Sequence, residues 1–131
     1  MNILVIDDDP AMTELLKLLL QPTNSKVVAA NTGMDGIAQV RQHTPDIILL
    51  DLMMPEMDGW QVCKEIRTFS NVPIIILSAL DTPGLVAAAL DAGADDYLIK
   101  PVPSSALIAH INKLVRRKHI EQLNLSTYVS T

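Results

Sequence analysis

The chain has a single cysteine, Cys63, so no intrachain disulfide framework can hold it together. It has no apolar stretch near the roughly eighteen residues a membrane span needs, and its first apolar run meets Asp7 too early to be the core of a signal peptide. It also lacks an excess of positive charge. Ten Lys and Arg face fifteen Asp and Glu, a formal charge of −5, which argues against broad binding to a nucleic-acid backbone by this segment. What remains is a cytoplasmic reading with no membrane contact: 131 residues, 49% hydrophobic, enough for one real core and too few for a second folded unit.

What the sequence does have is a repeated pattern. Four short apolar runs each stop at a residue able to carry charge or bind a ligand. Residues 3–6 end at Asp7, 47–50 at Asp51, 74–77 at Ser78, and Leu98 with Ile99 at Lys100. Runs this short, β-branched and apolar on both faces suit strands of a parallel sheet covered by helices. In an open α/β sheet, ligands bind outside the carboxyl ends of the strands, so these terminal residues are expected to converge on one pocket.

Helical patterns alternate with the strands. Asp9 caps and Pro10 starts a helix carrying Met12, Leu15, Leu16 and Leu19, which Pro22 ends. Residues 27–30 read as a second strand, followed by a helix from Gly33 to His43 with Ile37 and Val40 inward. Asp58 caps a third helix with Val62, Cys63, Ile66 and Phe69, where Cys63 reads as a packed thiol. Thr82 and Pro83 open a fourth through Leu85, Val86, Ala89 and Leu90, stopped by Gly93, and the last strand runs from about Asp96 to Ile99. Pro103 opens a fifth helix with Leu107, Ile108, Ile111, Leu114 and Val115 on its apolar face. Five βα units predict a doubly wound α/β domain over residues 1–118; the tail 119–131 reads as a helix continuation, a linker or a frayed end.

Asp7, Asp8 and Asp51 at adjacent strand ends place up to three negative charges close together. Either one takes up a proton through a raised pKa or a hard cation lies among them, and oxygen donors of this kind suit Mg²⁺ or Mn²⁺. The metal is the stronger reading, with a backbone carbonyl just past Asp51 as a further donor. Lys100 adds a compact positive charge and Ser78 a hydroxyl. A cation, an ammonium and a hydroxyl around one carboxylate are what phosphoryl transfer to that carboxylate needs, which makes Asp51 the nucleophile. Taken singly, each residue has a plainer explanation: Asp7 or Asp8 as a helix cap, Ser78 as a turn hydroxyl, Lys100 as a surface charge. Four strand ends agreeing outweigh those. Asp9 and Asp58 end no strand and remain caps, and Met53, Met54 and Met57 read as loop and core filler.

These residues stand in four blocks, ILVIDDDP, IILLDLMMPEMDGW, PIIILSA and AGADDYLIKP, and with them the chain closely resembles the receiver domain of two-component response regulators from residue 2 to about 117. The resemblance implies a flavodoxin-like (βα)₅ fold with strand order 2-1-3-4-5. It further implies phosphorylation of Asp51 by a histidine kinase or phosphotransfer protein, in a domain that promotes its own phosphotransfer and dephosphorylation without being an enzyme in the usual sense. Asp8, Asp51 and the Met53 carbonyl would bind Mg²⁺, with Asp7 acting through water. Ser78 and Lys100 would follow the phosphoryl group, Tyr97 would rotate inward on activation, and the Lys100 to Pro101 bond would be cis.

The resemblance leaves room for a homodimer through the fourth helix, fifth strand and fifth helix. However, Gly84, Leu85, Ser104 and Ser105 stand where charged residues are usual, while Asp95, Asp96, Arg116 and Arg117 keep part of the pattern. Two other readings compete. A phosphatase with an aspartyl-phosphate intermediate, of the haloacid dehalogenase type, needs an acid two residues after the nucleophile, where Met53 stands. A phosphorylation-independent interaction module is disfavoured by five competent pocket residues. Met53 and Leu80 flank the expected path of a hydrolytic water and cannot orient it, so loss of phosphate is expected to be slow.

Overall fold

The computed structural model describes the backbone of residues 1–129 and the side chains of residues 1–124. Strands and helices alternate as β1 (Asn2–Ile6), α1 (Pro10–Leu19), β2 (Lys26–Ala30), α2 (Gly33–His43), β3 (Ile47–Leu50), α3 (Gly59–Arg67), β4 (Ile74–Ser78), α4 (Pro83–Asp91), β5 (Asp96–Ile99) and α5 (Ser104–Val129). The five strands are parallel in the order β2-β1-β3-β4-β5, the order expected from the resemblance. Among the described residues, no helix is long and apolar enough to cross a membrane.

The central strands β3 and β4 are buried along their whole length because helices cover both sides of the sheet. Successive side chains go to opposite faces. Leu4, Ile6, Ile48, Leu50, Ile74 and Ile76 pack against Ile37 and Val40 of α2, Val62, Cys63 and Ile66 of α3 and Ala89 of α4. Ile3, Val5, Ile47, Leu49, Ile75 and Leu77 pack against Leu16 and Leu20 on the α1 side and Leu107, Ile111 and Leu114 of α5. Truncating one of the fully buried isoleucines, such as Ile48, to Ala would cost about 2–5 kcal/mol, since the rigid surroundings leave a cavity.

The register carries the functional edge. Ile6 pairs with Leu50, Leu50 with Ile76, and Ser78 with Ile99. The ladder runs one residue further, with the Asp7 N–H donating to the Ala30 carbonyl, Asp51 to Ile6 and Lys100 to Ser78. The four chain segments are thereby locked in line where the apolar runs stop.

Most helix ends follow the expected chemistry. The Asp9 carboxylate accepts from the Ala11 N–H, and Asp58 and Gln61 form a reciprocal capping box. Gly93 has φ +117°, a conformation that favours glycine, and ends α4. Three expectations need correction. Leu15 is 45% exposed because the buried stripe of α1 is centred on Leu16 and Leu20, and Leu15 lies about 100° around the helix from Leu16. Leu90 is 43% exposed and only Ala89 of α4 is fully buried, since this helix is apolar nearly all round and its period picks out no face. Pro103 precedes α5, its carbonyl accepting the Leu107 N–H. The fifth helix continues unbroken past residue 118 to Val129, while residues 130 and 131 of the tail lie outside the described residues.

Candidate functional site

Asp7, Asp8 and Asp51 each present a carboxylate oxygen within 4.8 Å of the others at the carboxyl edge of β1 and β3. Asp7 is nearly enclosed. One of its oxygens accepts the Asp9 N–H at 3.0 Å and the other accepts Lys100 Nζ at 3.2 Å. Lys100 Nζ also stands 3.8 Å from Asp51, whose side chain is 12% exposed. Asp8 faces solvent. Three carboxylates thus share one ammonium, and the ionised cluster has an excess of two negative charges.

Burial pushes the Asp51 carboxyl above the ordinary carboxylate range; the Lys100 ammonium opposes this, the Asp7 charge adds to it, and backbone N–H donation from Met53 and Leu52 lowers it again. A dication meets this excess directly, and an all-oxygen donor set with a solvent-open side suits a hard ion that keeps waters, such as Mg²⁺ or Mn²⁺. The residues present therefore fit a divalent cation.

Ser78 and Tyr97 join the site through Leu80. Ser78 is fully buried, and its Oγ accepts the Leu80 N–H at 3.1 Å. The Tyr97 hydroxyl donates to the Leu80 carbonyl at 2.6 Å, with the ring packed against the core. One backbone residue is thus gripped from both sides, by the hydroxyl at the end of β4 and by the aromatic of β5. The Lys100–Pro101 peptide is cis, as expected.

Several supporting residues escape the strand-end pattern. Asn31 donates its amide to the Asp7 carbonyl at 2.8 Å, fixing the β1 terminus from the end of β2. Gly59 is required because a Cβ there would lie 2.4 Å from the Asp51 carbonyl and 2.7 Å from the Leu52 Cα; α3 can start this close to Asp51 only without a side chain. The signal for it was the Gly directly after the Asp58 cap. Asp95 and Asp96, read above as part of a dimer charge pattern, are engaged within the chain: Asp95 with Arg67 and the Ile74 N–H, and Asp96 with His110.

A five-stranded 2-1-3-4-5 sheet with clustered acids and a lysine at its carboxyl edge defines the chain as a signalling receiver, and residues 3–112 match the response regulator receiver domain family, to which it belongs. Among characterised relatives, it is 38% identical to the transcriptional regulatory protein AfsQ1 of Streptomyces coelicolor, over 98% of this chain and 57% of that protein. It is 43% identical to the response regulator MprA of Mycobacterium leprae, over 89% of this chain and 52% of that protein. The chain thus spans about half the length of the relatives it matches. Among solved structures it is similar to the Klebsiella pneumoniae RstA BeF3-activated N-terminal receiver domain (30% identity, TM-score 0.84, 88% of this chain and 99% of that one). A response regulator from Clostridium difficile is also similar (30% identity, TM-score 0.86, 90% and 98%).

Proposed function

We propose that this receiver takes a phosphoryl group from the phosphohistidine of a sensor kinase or phosphotransfer protein onto Asp51. The observation that carries the reading is the Asp51 carboxylate itself: nearly enclosed, 3.8 Å from Lys100 and crowded by two further acids. Asp8, Asp51 and the Met53 carbonyl would hold a divalent ion directly and Asp7 would hold it through water. Bound there, Mg²⁺ or Mn²⁺ supplies positive charge to the transferred phosphoryl oxygens. An Asp51 oxygen attacks phosphorus in line as the phosphorus–nitrogen bond of the donor breaks. Lys100 turns from Asp7 and Asp51 to the new oxygens, and its positive charge there lowers the barrier. Asp7 loses its ammonium partner as this happens.

The switch follows from the grip on Leu80. A group bearing about −1.5 to −2 charges on Asp51 draws the Ser78 hydroxyl, which has its own proton to donate. Movement of Ser78 pulls Leu80 and so resets Tyr97 on the β5 surface, a shift between two states. By analogy with relatives named as transcriptional and DNA-binding regulators, the output is control of transcription. A homodimer through α4, β5 and α5 would use the exposed Leu90 and Ile99 more than Asp95 and Asp96, which already have partners.

Incubation with Mg²⁺ and a small acyl phosphate tests the reading. The wild-type chain should gain one alkali-labile phosphoryl group and Asp51→Asn none. No gain by the wild type, or an equal gain by the variant, overturns it.

A further inference from the structure

Four of the six methionines, Met34, Met53, Met54 and Met57, either follow Asp51 closely in the chain or line a cleft beside Asp8. Met53 and Met54 follow Asp51 by two and three residues, and a cleft of about 140 Å³ beside Asp8 is lined by Met34, Met54 and Met57. Met34 and Met53 are 70% and 61% exposed, the two most exposed large apolar side chains among the described residues. Core packing does not account for them. Met53 is also close to the acceptor in the chain, two residues after Asp51 in the loop that leaves β3. An oxidisable, solvent-open thioether therefore stands in the loop that carries the reacting group.

We propose that Met53 is an oxidation site through which hydroperoxides shorten the life of the phosphoryl group on Asp51. The inference rests on the acceptor role proposed above. In the oxidation, a sulfur lone pair attacks one oxygen of hydrogen peroxide and the O–O bond breaks. The proton on the transferred oxygen passes to the departing hydroxide. One sulfoxide and one water result, sulfur oxidised and peroxide reduced.

The consequence is a change in hydrogen bonding at the mouth. A thioether is a weak acceptor, whereas a sulfoxide oxygen is a strong one. Hydrolysis requires a water to attack phosphorus as the bond from phosphorus to the Asp51 oxygen breaks, releasing inorganic phosphate and restoring the carboxylate. Neither Met53 nor Leu80 can aim that water in the reduced chain. A sulfoxide at Met53 can accept one of its protons and hold it on the attacking side. Met54, 8% exposed, is shielded from the same reaction and serves as an internal reference.

The test uses the whole chain, treated or untreated with hydrogen peroxide, then phosphorylated with a small acyl phosphate and Mg²⁺. Sulfoxides are mapped by peptide mass, and decay of the phosphoprotein is followed. Sulfoxide should form at Met34 and Met53 well before Met54, and decay should quicken about threefold, a small part of the roughly 10²–10⁴ available to a positioned acid or base. Met53→Leu should abolish the difference between treated and untreated protein, Met34→Leu should keep it, and methionine sulfoxide reductase should restore slow decay. Oxidation of Met54 ahead of Met53, unchanged decay with sulfoxide present at Met53, or an undiminished peroxide effect in Met53→Leu overturns the proposal. Failure of the untreated chain to take up phosphoryl is a different result, and removes the acceptor reading with everything built on it.

Discussion

Two acid–base clusters in this molecule look alike in composition and differ in closure. At the amino-terminal edge of β4 and β5, Arg67 donates through Nε to the Gly93 carbonyl, through Nη1 to Ser70 and Val72, and through Nη2 to Asp95, whose same oxygen accepts the Ile74 N–H. One cation meets one acid there, and the guanidinium has a partner at each nitrogen. At the opposite edge one lysine faces three acids, and Asp8 is left to solvent. Charge imbalance, more than the presence of charge, separates these two clusters. A closed pair holds elements together, while the open one has negative charge left over that suits a divalent cation.

The first way to break this comparison is to remove the base from each cluster. Lys100→Ala should slow phosphorylation by roughly 10²-fold, the scale of one lost charge-stabilising donor, with little loss of stability while Mg²⁺ is present to offset the acids it leaves unpaired. Phosphorylation at the wild-type rate would return Lys100 to the role of a surface charge. Arg67→Ala should do the reverse. It leaves the Gly93, Ser70 and Val72 carbonyls and Asp95 without their donor and should cost about 2–3 kcal/mol in urea unfolding, with the phosphorylation rate kept in the folded fraction. A neutral effect would show that these bonds are replaced by water.

The second test is the pH dependence of stability without metal. Because burial raises the Asp51 pKa above its ordinary 3.8, the folded chain binds the proton more tightly than the unfolded one. Its contribution to stability is therefore fullest at low pH and is lost as pH rises through the raised value. Asp51→Asn should remove that decline and raise the metal-free Tm at pH 7 by a few degrees, with Mg²⁺ narrowing the gap by stabilising only the wild type. A lower Tm for Asp51→Asn would mean that the carboxylate is net favourable where it stands. The smallest expected effect is kinetic. Asn at position 53 together with Glu at position 80 should speed phosphate loss by about tenfold, since each can orient a water. Unchanged decay would remove the argument from Met53 and Leu80.

The open cluster was legible in the sequence and the closed one was not. Asp7, Asp51, Ser78 and Lys100 each end a run of strand-forming residues, so period and punctuation located them, and parallel pairing brought them together. Arg67 and Asp95 lie 28 positions apart, one in a helix and one in a turn, and no periodicity links them. Leu80 escaped for another reason: its part in joining Ser78 to Tyr97 is played by backbone atoms, which any residue has. Leu15 and Leu90 were misjudged because apolar residues on neighbouring helical positions do not reveal which of them faces the sheet.

The central claim is that the excess of negative charge at the carboxyl edge is a cation site, and a Mg²⁺ titration followed by the fluorescence of Trp60, the chain's only tryptophan, tests it most directly. Saturable binding at one site is expected, lost in Asp8→Asn and Asp51→Asn and kept in Asp95→Asn, because the Asp95 charge is already matched by Arg67. If calorimetry and fluorescence both show no binding, or if Asp8→Asn and Asp51→Asn bind as the wild type does, the account is contradicted.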